Sequence, residues 1–228
     1  MPNIADNLQR IHDQIDRVCR RCNRNPADVE LVAVSKKKPA TDIEQAFAAG
    51  QRIFGESYVQ ELAEKLDLVT QPVSWHFIGG LQSNKVKYLR GRTELIHSVD
   101  RLSLATEIDR QWGKIDARAD ILLQFNLGRE ESKSGADESG ALDLVRQVAA
   151  LNHLKIRGLM TLPPYAADPE EVRPYFRRLR ELSTTIATSN IPGVEMKHLS
   201  MGMSHDFEIA IEEGATLIRI GTAIFGER

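Results

Sequence analysis

The sequence has two cysteines among 228 residues, no marked excess of either charge, and no long apolar run. Each shortage excludes something. Without about 18 consecutive apolar residues, no segment reads as a transmembrane helix. The formal charge is −2, from 30 basic and 32 acidic residues, so neither nucleic acid nor an anionic membrane is expected as the main partner. The first ten residues are polar and carry Asp6 and Arg10, without the apolar middle of a signal peptide, and the expectation is a cytoplasmic protein. The cysteines form one motif, Cys19-Arg20-Arg21-Cys22, with no second pair to complete a metal shell. His12 is expected on the same helical face, yet three ligands on one helix make a poor tetrahedron. No metal site is expected, and the thiols are read as lining a helix face.

What is present is patterned. Hydrophobic residues make up 42% and charged residues 27%, the balance of an ordinary soluble globular protein. Ile4, Leu8, Ile11, Ile15, Val18 and Cys22 recur at three- and four-residue steps, predicting an amphipathic N-terminal helix that Pro26 closes. A short β-rich run followed by a turn and a helical stretch then repeats. The runs are residues 31–34, 52–54, 74–78, 95–98, 121–126, 155–159, 196–200 and 217–220. Thr41 and Glu44 have capping-box spacing, and Gly50 is a natural stop. Asp168-Pro169 with Glu171 offers another helix start, while Pro174 offers a competing one. Eight alternations predict an α/β fold, a single (β/α)8 TIM-type barrel with an extra N-terminal helix, in one domain spanning residues 1–228. Little follows the eighth run, and the N-terminal helix is expected to cover the outside there.

In such a barrel, functional residues gather at the C-terminal ends of the strands. The first run continues into Ser35-Lys36-Lys37-Lys38-Pro39, which places Lys36 at the rim. A partly desolvated lysine has a lowered pKa and exposes a neutral amine able to attack an aldehyde. Lys37 and Lys38 would repel its proton further if close. A solvated basic turn explains this segment equally well.

The far end of the chain bears on that choice. His198-Leu199-Ser200-Met201-Gly202-Met203-Ser204 and Arg219-Ile220-Gly221-Thr222 are small, hydroxyl-bearing turns after the seventh and eighth runs, and the first is expected to open a helix near Ser204. Exposed N–H groups and hydroxyls in such turns bind phosphate oxygens, and this is the usual phosphate position in the fold class. Arg219 interrupts an apolar strand, and a guanidinium inside a barrel needs an acceptor. A pyridine nitrogen would serve; so would an ion pair with a strand acid such as Glu195.

These residues carry a resemblance. Ala33-Val34-Ser35-Lys36, Phe54-Gly55-Glu56-Ser57-Tyr58-Val59-Gln60-Glu61, Trp75-His76-Phe77-Ile78-Gly79, Leu81-Gln82-Ser83-Asn84-Lys85, Ser132-Lys133-Ser134-Gly135, Leu199 to Ser204 and Arg219 to Gly226 together resemble the pyridoxal 5′-phosphate (PLP) homeostasis proteins. That family shares the barrel of alanine racemase, and the likeness runs over nearly the whole chain. It implies that Lys36 is the Schiff-base lysine, that Arg219 faces the pyridine nitrogen, and that Ser200, Gly221 and Thr222 hold the phosphate with help from Ser204. It also implies a second, loose PLP contact at Lys133, for which a solvated loop lysine is the competing account. The family commonly has asparagine where this chain has Ser57, and a smaller residue where it has Lys37. His76 reads as an interior residue near the cofactor or as a hydrogen-bonded core histidine, and Tyr58 as a packing residue.

The resemblance implies a reversible carrier or buffer of PLP, without dedicated turnover, that apo-enzymes would draw on as partners; a monomer is expected. A racemase-like enzyme is the second reading. It needs another acid–base group on the opposite face of the ring. A barrel aldolase acting on sugar phosphates is the third, and leaves Arg219 without a use.

Overall fold

The computed structural model describes residues 3–128 and 134–227. The β-rich runs form β1 (Glu30–Val34), β2 (Ile53–Glu56), β3 (Ser74–Phe77), β4 (Leu95–Val99), β5 (Ala119–Phe125), β6 (Leu154–Thr161), β7 (Val194–Ser200) and β8 (Leu217–Ile220). Each pairs in parallel with the next, and β8 pairs with β1 from Glu30↔Leu217 to Ala33↔Ile220, closing the barrel. The expected α/β barrel is therefore the observed one. Its strand ends differ from the sequence reading by one or two residues; β6, for example, runs on to Thr161.

Around the strands lie α1 (Ile4–Arg21), α2 (Ala40–Ala48), α3 (Val59–Leu68), α4 (Leu102–Gly113), α5 (Ala141–Ala149), α6 (Arg173–Thr188), α7 (Phe207–Glu212) and α8 (Thr222–Phe225). Between β3 and β4 the helical element is a 3-10 run, Ser83–Tyr88. The extra helix α1 packs against α2, α7 and α8, and the Asn7 amide donates to the Ile224 carbonyl at 2.8 Å. It thus covers the flank where α8 is a single turn. Its buried stripe is Ile4, Leu8, Ile11, Ile15, Val18 and Cys19. Each buried Ile or Leu contributes roughly 1.5–3 kcal/mol, so this stripe outweighs helix propensity in fixing α1. His12 is exposed, not on the buried face with Cys19 as expected, because the stripe's 3.6-residue period turns position 12 outward.

Two helix starts bear on the sequence reading. α2 begins at Ala40 behind Pro39, whose extended backbone ends the preceding loop, so Thr41 already lies in the first turn and caps nothing. Gly50 does end that segment, at φ +101°. At α6 both competing signals are used. Asp168 accepts from Glu170 N–H at the head of a 3-10 turn, and α6 follows with Pro174 in its first turn.

Val32, Leu95, Leu122, Met160 and Leu217 form their own apolar cluster inside the barrel. Their sequence neighbours Ala33, Ile96, Leu123, Leu159 and Ile218 belong to the larger core beneath the helices. This is the two-residue alternation of a strand. No helix among the described residues is long and apolar enough to cross a membrane.

Candidate cofactor-binding site

Two residues beyond Leu217 and Leu95, on the same inward faces, stand Arg219 and His97, and there the interior turns polar. Arg219 Nη1 donates to Ser200 Oγ at 2.6 Å, and Nη2 donates to the Thr161 carbonyl at 3.0 Å. Ser200 Oγ lies 2.8 Å from His97 Nδ1, and His97 Nε2 lies 3.0 Å from His76 Nδ1. One chain of hydrogen bonds thus links β3, β4, β7 and β8. All four side chains are buried. Burial pushes the His76 imidazole down to about 3 and that of His97 well below its usual value, so both rings are neutral near pH 7.

Burial also lowers the Arg219 guanidinium, to about 10, and the nearby Asp206 charge opposes this. It remains a cation at neutral pH. No carboxylate among the described residues lies within ion-pair distance of it. The ion pair with Glu195 is not formed. Glu195 sits five residues before Ser200 in β7, about 16 Å down a strand, and binds Lys155 at 2.7 Å and Arg157 at 2.5 Å instead.

The rim lies directly above. The β1–β8 register continues past Ala33↔Ile220, so that a Cβ on Gly221 would stand 3.1 Å from the Val34 carbonyl oxygen. The segment leading to half-buried Lys36 therefore adjoins the Gly221-Thr222 turn. Lys38 is turned to that side of the barrel, its ammonium donating at 3.0 Å to the carbonyls of Phe225 and Glu227. Lys37 is exposed, with φ +61°. The turn after β7 is bonded to β8, since the Gly202 carbonyl accepts from Arg219 N–H at 3.0 Å. Gly202 has φ +91°, and a Cβ there would sit 2.6 Å from Ala210 Cβ, so the tight turn needs glycine. Ser204 lies in this turn, but α7 starts at Phe207, later than the sequence suggested. The reason is local: Asp206 Oδ1 accepts from Met203 N–H at 2.6 Å, holding residues 203–206 as a separate turn.

The other expected site residues fall as follows. Ser57 is half-buried just past β2, and its backbone crowds Gly79, where a Cβ would lie 2.1 Å from the Ser57 oxygen. Thr222 is exposed at the start of α8. His76 is a buried histidine, hydrogen-bonded to His97. Tyr58 does not pack away; it is 49% exposed. Lys133 lies outside the described residues. Cys22 Sγ reaches only the Cys19 carbonyl, at 3.6 Å, and no group of three metal-ligating side chains exists among the described residues.

The sequence reading missed His97, although its two-residue offset from Leu95 marks it as inward-facing. It also missed Lys65, whose spacing from Glu61 is that of a helical ion pair. Lys65 binds Glu56 and Glu61, both at 2.7 Å.

Residues 7–228 match the family profile of the alanine racemase N-terminal domain. A pyridoxal phosphate homeostasis protein from Aquifex aeolicus is 44% identical over 227 residues, 99% of each chain. The chain belongs to the pyridoxal phosphate homeostasis protein family. Among solved structures, a protein from Bifidobacterium adolescentis matches with TM-score 0.94 at 33% identity, covering 98% of this chain and 94% of that one. PipY from Synechococcus elongatus, solved with PLP bound, matches with TM-score 0.82 at 36% identity, covering 93% of this chain and all of that one (100%).

The donor set here fits such a cofactor. A guanidinium has five N–H donors, and Arg219 gives two of them to protein acceptors. The remainder suit a buried ring nitrogen, which accepts without bringing a second charge. Above them are two turns of small residues and a half-buried lysine at the end of a strand.

Proposed function

We propose that this chain binds PLP as a Schiff base on Lys36 and serves intracellular PLP homeostasis as a reversible carrier. In this reading the Lys36 amine attacks the aldehyde carbon, the carbonyl oxygen leaves as water, and hydrolysis reverses the link. Gly221 and Thr222, with the Gly202–Ser204 turn, hold the phosphate. Ser200 serves from beneath as the partner of Arg219, and turns its own O–H to the phosphate when His97 donates to it. Arg219 faces the pyridine nitrogen and leaves it unprotonated, which weakens the ring as an electron sink. His76 lies below the ring and Ser57 beside it.

The observation that carries the reading is the buried Arg219, without a carboxylate partner among the described residues, under a rim where the Lys36 segment and the Gly221 turn adjoin. PLP bound to PipY supports the choice of ligand. The names of the family's members support a carrier over a racemase. So does the interior, where the buried imidazoles are neutral and bonded to each other. Passage of PLP to apo-enzymes, a monomeric state and a cytoplasmic location belong to the same reading.

The test is direct. Protein incubated with PLP turns yellow, and borohydride fixes the label on the peptide bearing Lys36; Lys36→Ala abolishes both. A label elsewhere, or none, sinks the proposal. Lysine-dependent α-proton exchange of amino acids at enzymatic rates would favour the racemase instead.

A further inference from the structure

Lys65 on α3 is only 5% exposed, and its ammonium offers three donors and no acceptor. All three are used at 2.7 Å: on the Ser35 carbonyl, on Glu56 Oε1 and on Glu61 Oε1. Glu56, fully buried at the end of β2, also accepts from the Ser35 hydroxyl at 2.6 Å. Glu61 Oε1 accepts from the backbone N–H of Lys37. The Ser35 carbonyl belongs to the peptide group before Lys36, and the Lys37 N–H to the one after it. One buried cluster thus grips both peptide planes that flank Lys36.

Stability alone does not account for this cluster. Desolvating a cation and a buried carboxylate offsets most of their attraction, and apolar residues of similar volume hold a fold as well or better. Glu56 Oε2 is moreover buried without a hydrogen-bond partner, a further cost. What the cluster does secure is the backbone around one residue. Lys37 is held at φ +61°, a left-handed conformation that a lysine seldom adopts unaided. The Ser35 carbonyl also accepts from Lys38 N–H at 3.0 Å, tightening the same turn.

We propose that Lys65, Glu56 and Glu61 are positioning residues for Lys36, fixing its Cα and hence the direction from which its amine approaches a carbonyl carbon at the barrel mouth. This rests on the PLP reading and extends it to three side chains beyond the expected site. A displacement of about 1 Å in a reacting group can cost on the order of a hundredfold in rate, so a rigid turn is worth its cost.

The half-buried Glu61 is the residue to change, since its loss leaves the deeper Lys65–Glu56 pair in place. Full-length wild type, Glu61→Ala and Glu61→Gln are compared in three measurements. These are the rate of Schiff-base formation at saturating PLP, the affinity for pyridoxine 5′-phosphate, and exchange of the Lys37 amide without ligand. Pyridoxine 5′-phosphate carries an alcohol in place of the aldehyde, so it reports the pocket without the bond. Glu61→Ala is expected to slow bond formation by about tenfold or more and to lose Lys37 protection, with pyridoxine 5′-phosphate affinity and the unfolding midpoint unchanged. Glu61→Gln, which keeps an acceptor oxygen, restores both. Bond formation in Glu61→Ala within about twofold of wild type overturns the proposal, as does a parallel loss of pyridoxine 5′-phosphate affinity. Absence of any Lys36 adduct in the wild type is a different failure, of the PLP reading itself, and it is visible before a variant is made.

Discussion

Arg219 donates to the hydroxyl of Ser200 across 2.6 Å, and this bond fixes one half of what Ser200 does. A guanidinium only donates, so Ser200 Oγ accepts there and keeps one hydrogen to give. That hydrogen goes to His97 Nδ1, with the His97 proton on Nε2 pointing at His76. Alternatively His97 Nδ1 donates to Ser200, His76 donates to His97 Nε2, and the Ser200 hydrogen is available to a phosphate oxygen. The distances of 2.8 Å and 3.0 Å suit both directions. Nitrogen-15 NMR of the histidine rings tells them apart. With Ser200 as a phosphate ligand, the His97 proton stands on Nδ1 once PLP is bound. A His97 proton on Nε2 in the PLP-bound protein would confine Ser200 to supporting Arg219.

Arg219→Ala tests the same layer. The change leaves the buried Thr161 carbonyl unpaired, which costs roughly 1–3 kcal/mol. It also removes a buried cation that has no carboxylate partner among the described residues, and that relief offsets part of the loss. The ligand-free protein should therefore lose less than about 2 kcal/mol in urea unfolding. PLP retention should fall by about tenfold or more, with a shift in the absorbance of what remains bound. Unaltered retention and colour would mean that Arg219 does not meet the ring.

The barrel was legible because eight β-rich runs alternate with helical stretches, and the strand period places Leu217 and Arg219 on one inward face. The two turns were legible through Gly202 and Gly221. What escaped the reading depends on contacts between elements distant in sequence. His97 meets Ser200 across 103 positions of sequence, and Lys65 meets Ser35 across 30. Glu195 illustrates the converse. It shares a strand with Ser200 and looked available to Arg219, but its height along β7 gives it to Arg157. Helix starts were less legible, since Pro39 overrode the spacing of Thr41 and Glu44.

The two cysteines should behave differently. Cys19 is fully buried in α1, and burial pushes its thiol pKa up, with Arg24 opposing. Reactivity follows thiolate fraction and access, so a disulfide reagent should modify half-buried Cys22 first. Cys19 should react only on unfolding. Cys19→Ser should leave PLP retention and colour unchanged, because α1 packs on the outside of the barrel. Rapid native labelling of Cys19, or a colour change in Cys19→Ser, would refute this.

Acid should destabilise the fold through its buried histidines, with Glu56 and Asp206, whose carboxyls burial pushes up, opposing this in part. An unfolded histidine has a pKa near 6.5, whereas burial holds His76 at about 3 and His97 well below its ordinary value. Between these limits the unfolded chain binds protons that the folded chain refuses. Stability from this source is fully present above about pH 6.5 and is lost as pH falls, for His76 until about pH 3. Each such histidine contributes a slope of about 1.4 kcal/mol per pH unit once its unfolded form is protonated. His76 and His97 together should therefore cost about 2–3 kcal/mol between pH 6 and 5. The half-buried His198, lowered to about 4 chiefly by burial, adds less. Glu107 and Glu212, whose carboxyls are held low beside arginines, contribute only further down. Urea midpoints at pH 7, 6 and 5 measure the effect, and His76→Gln should reduce the slope. A slope between pH 6 and 5 no steeper in wild type than in His76→Gln would show that the His76 imidazole accepts a proton in the folded state, and the neutral relay beneath Arg219 would have to be abandoned.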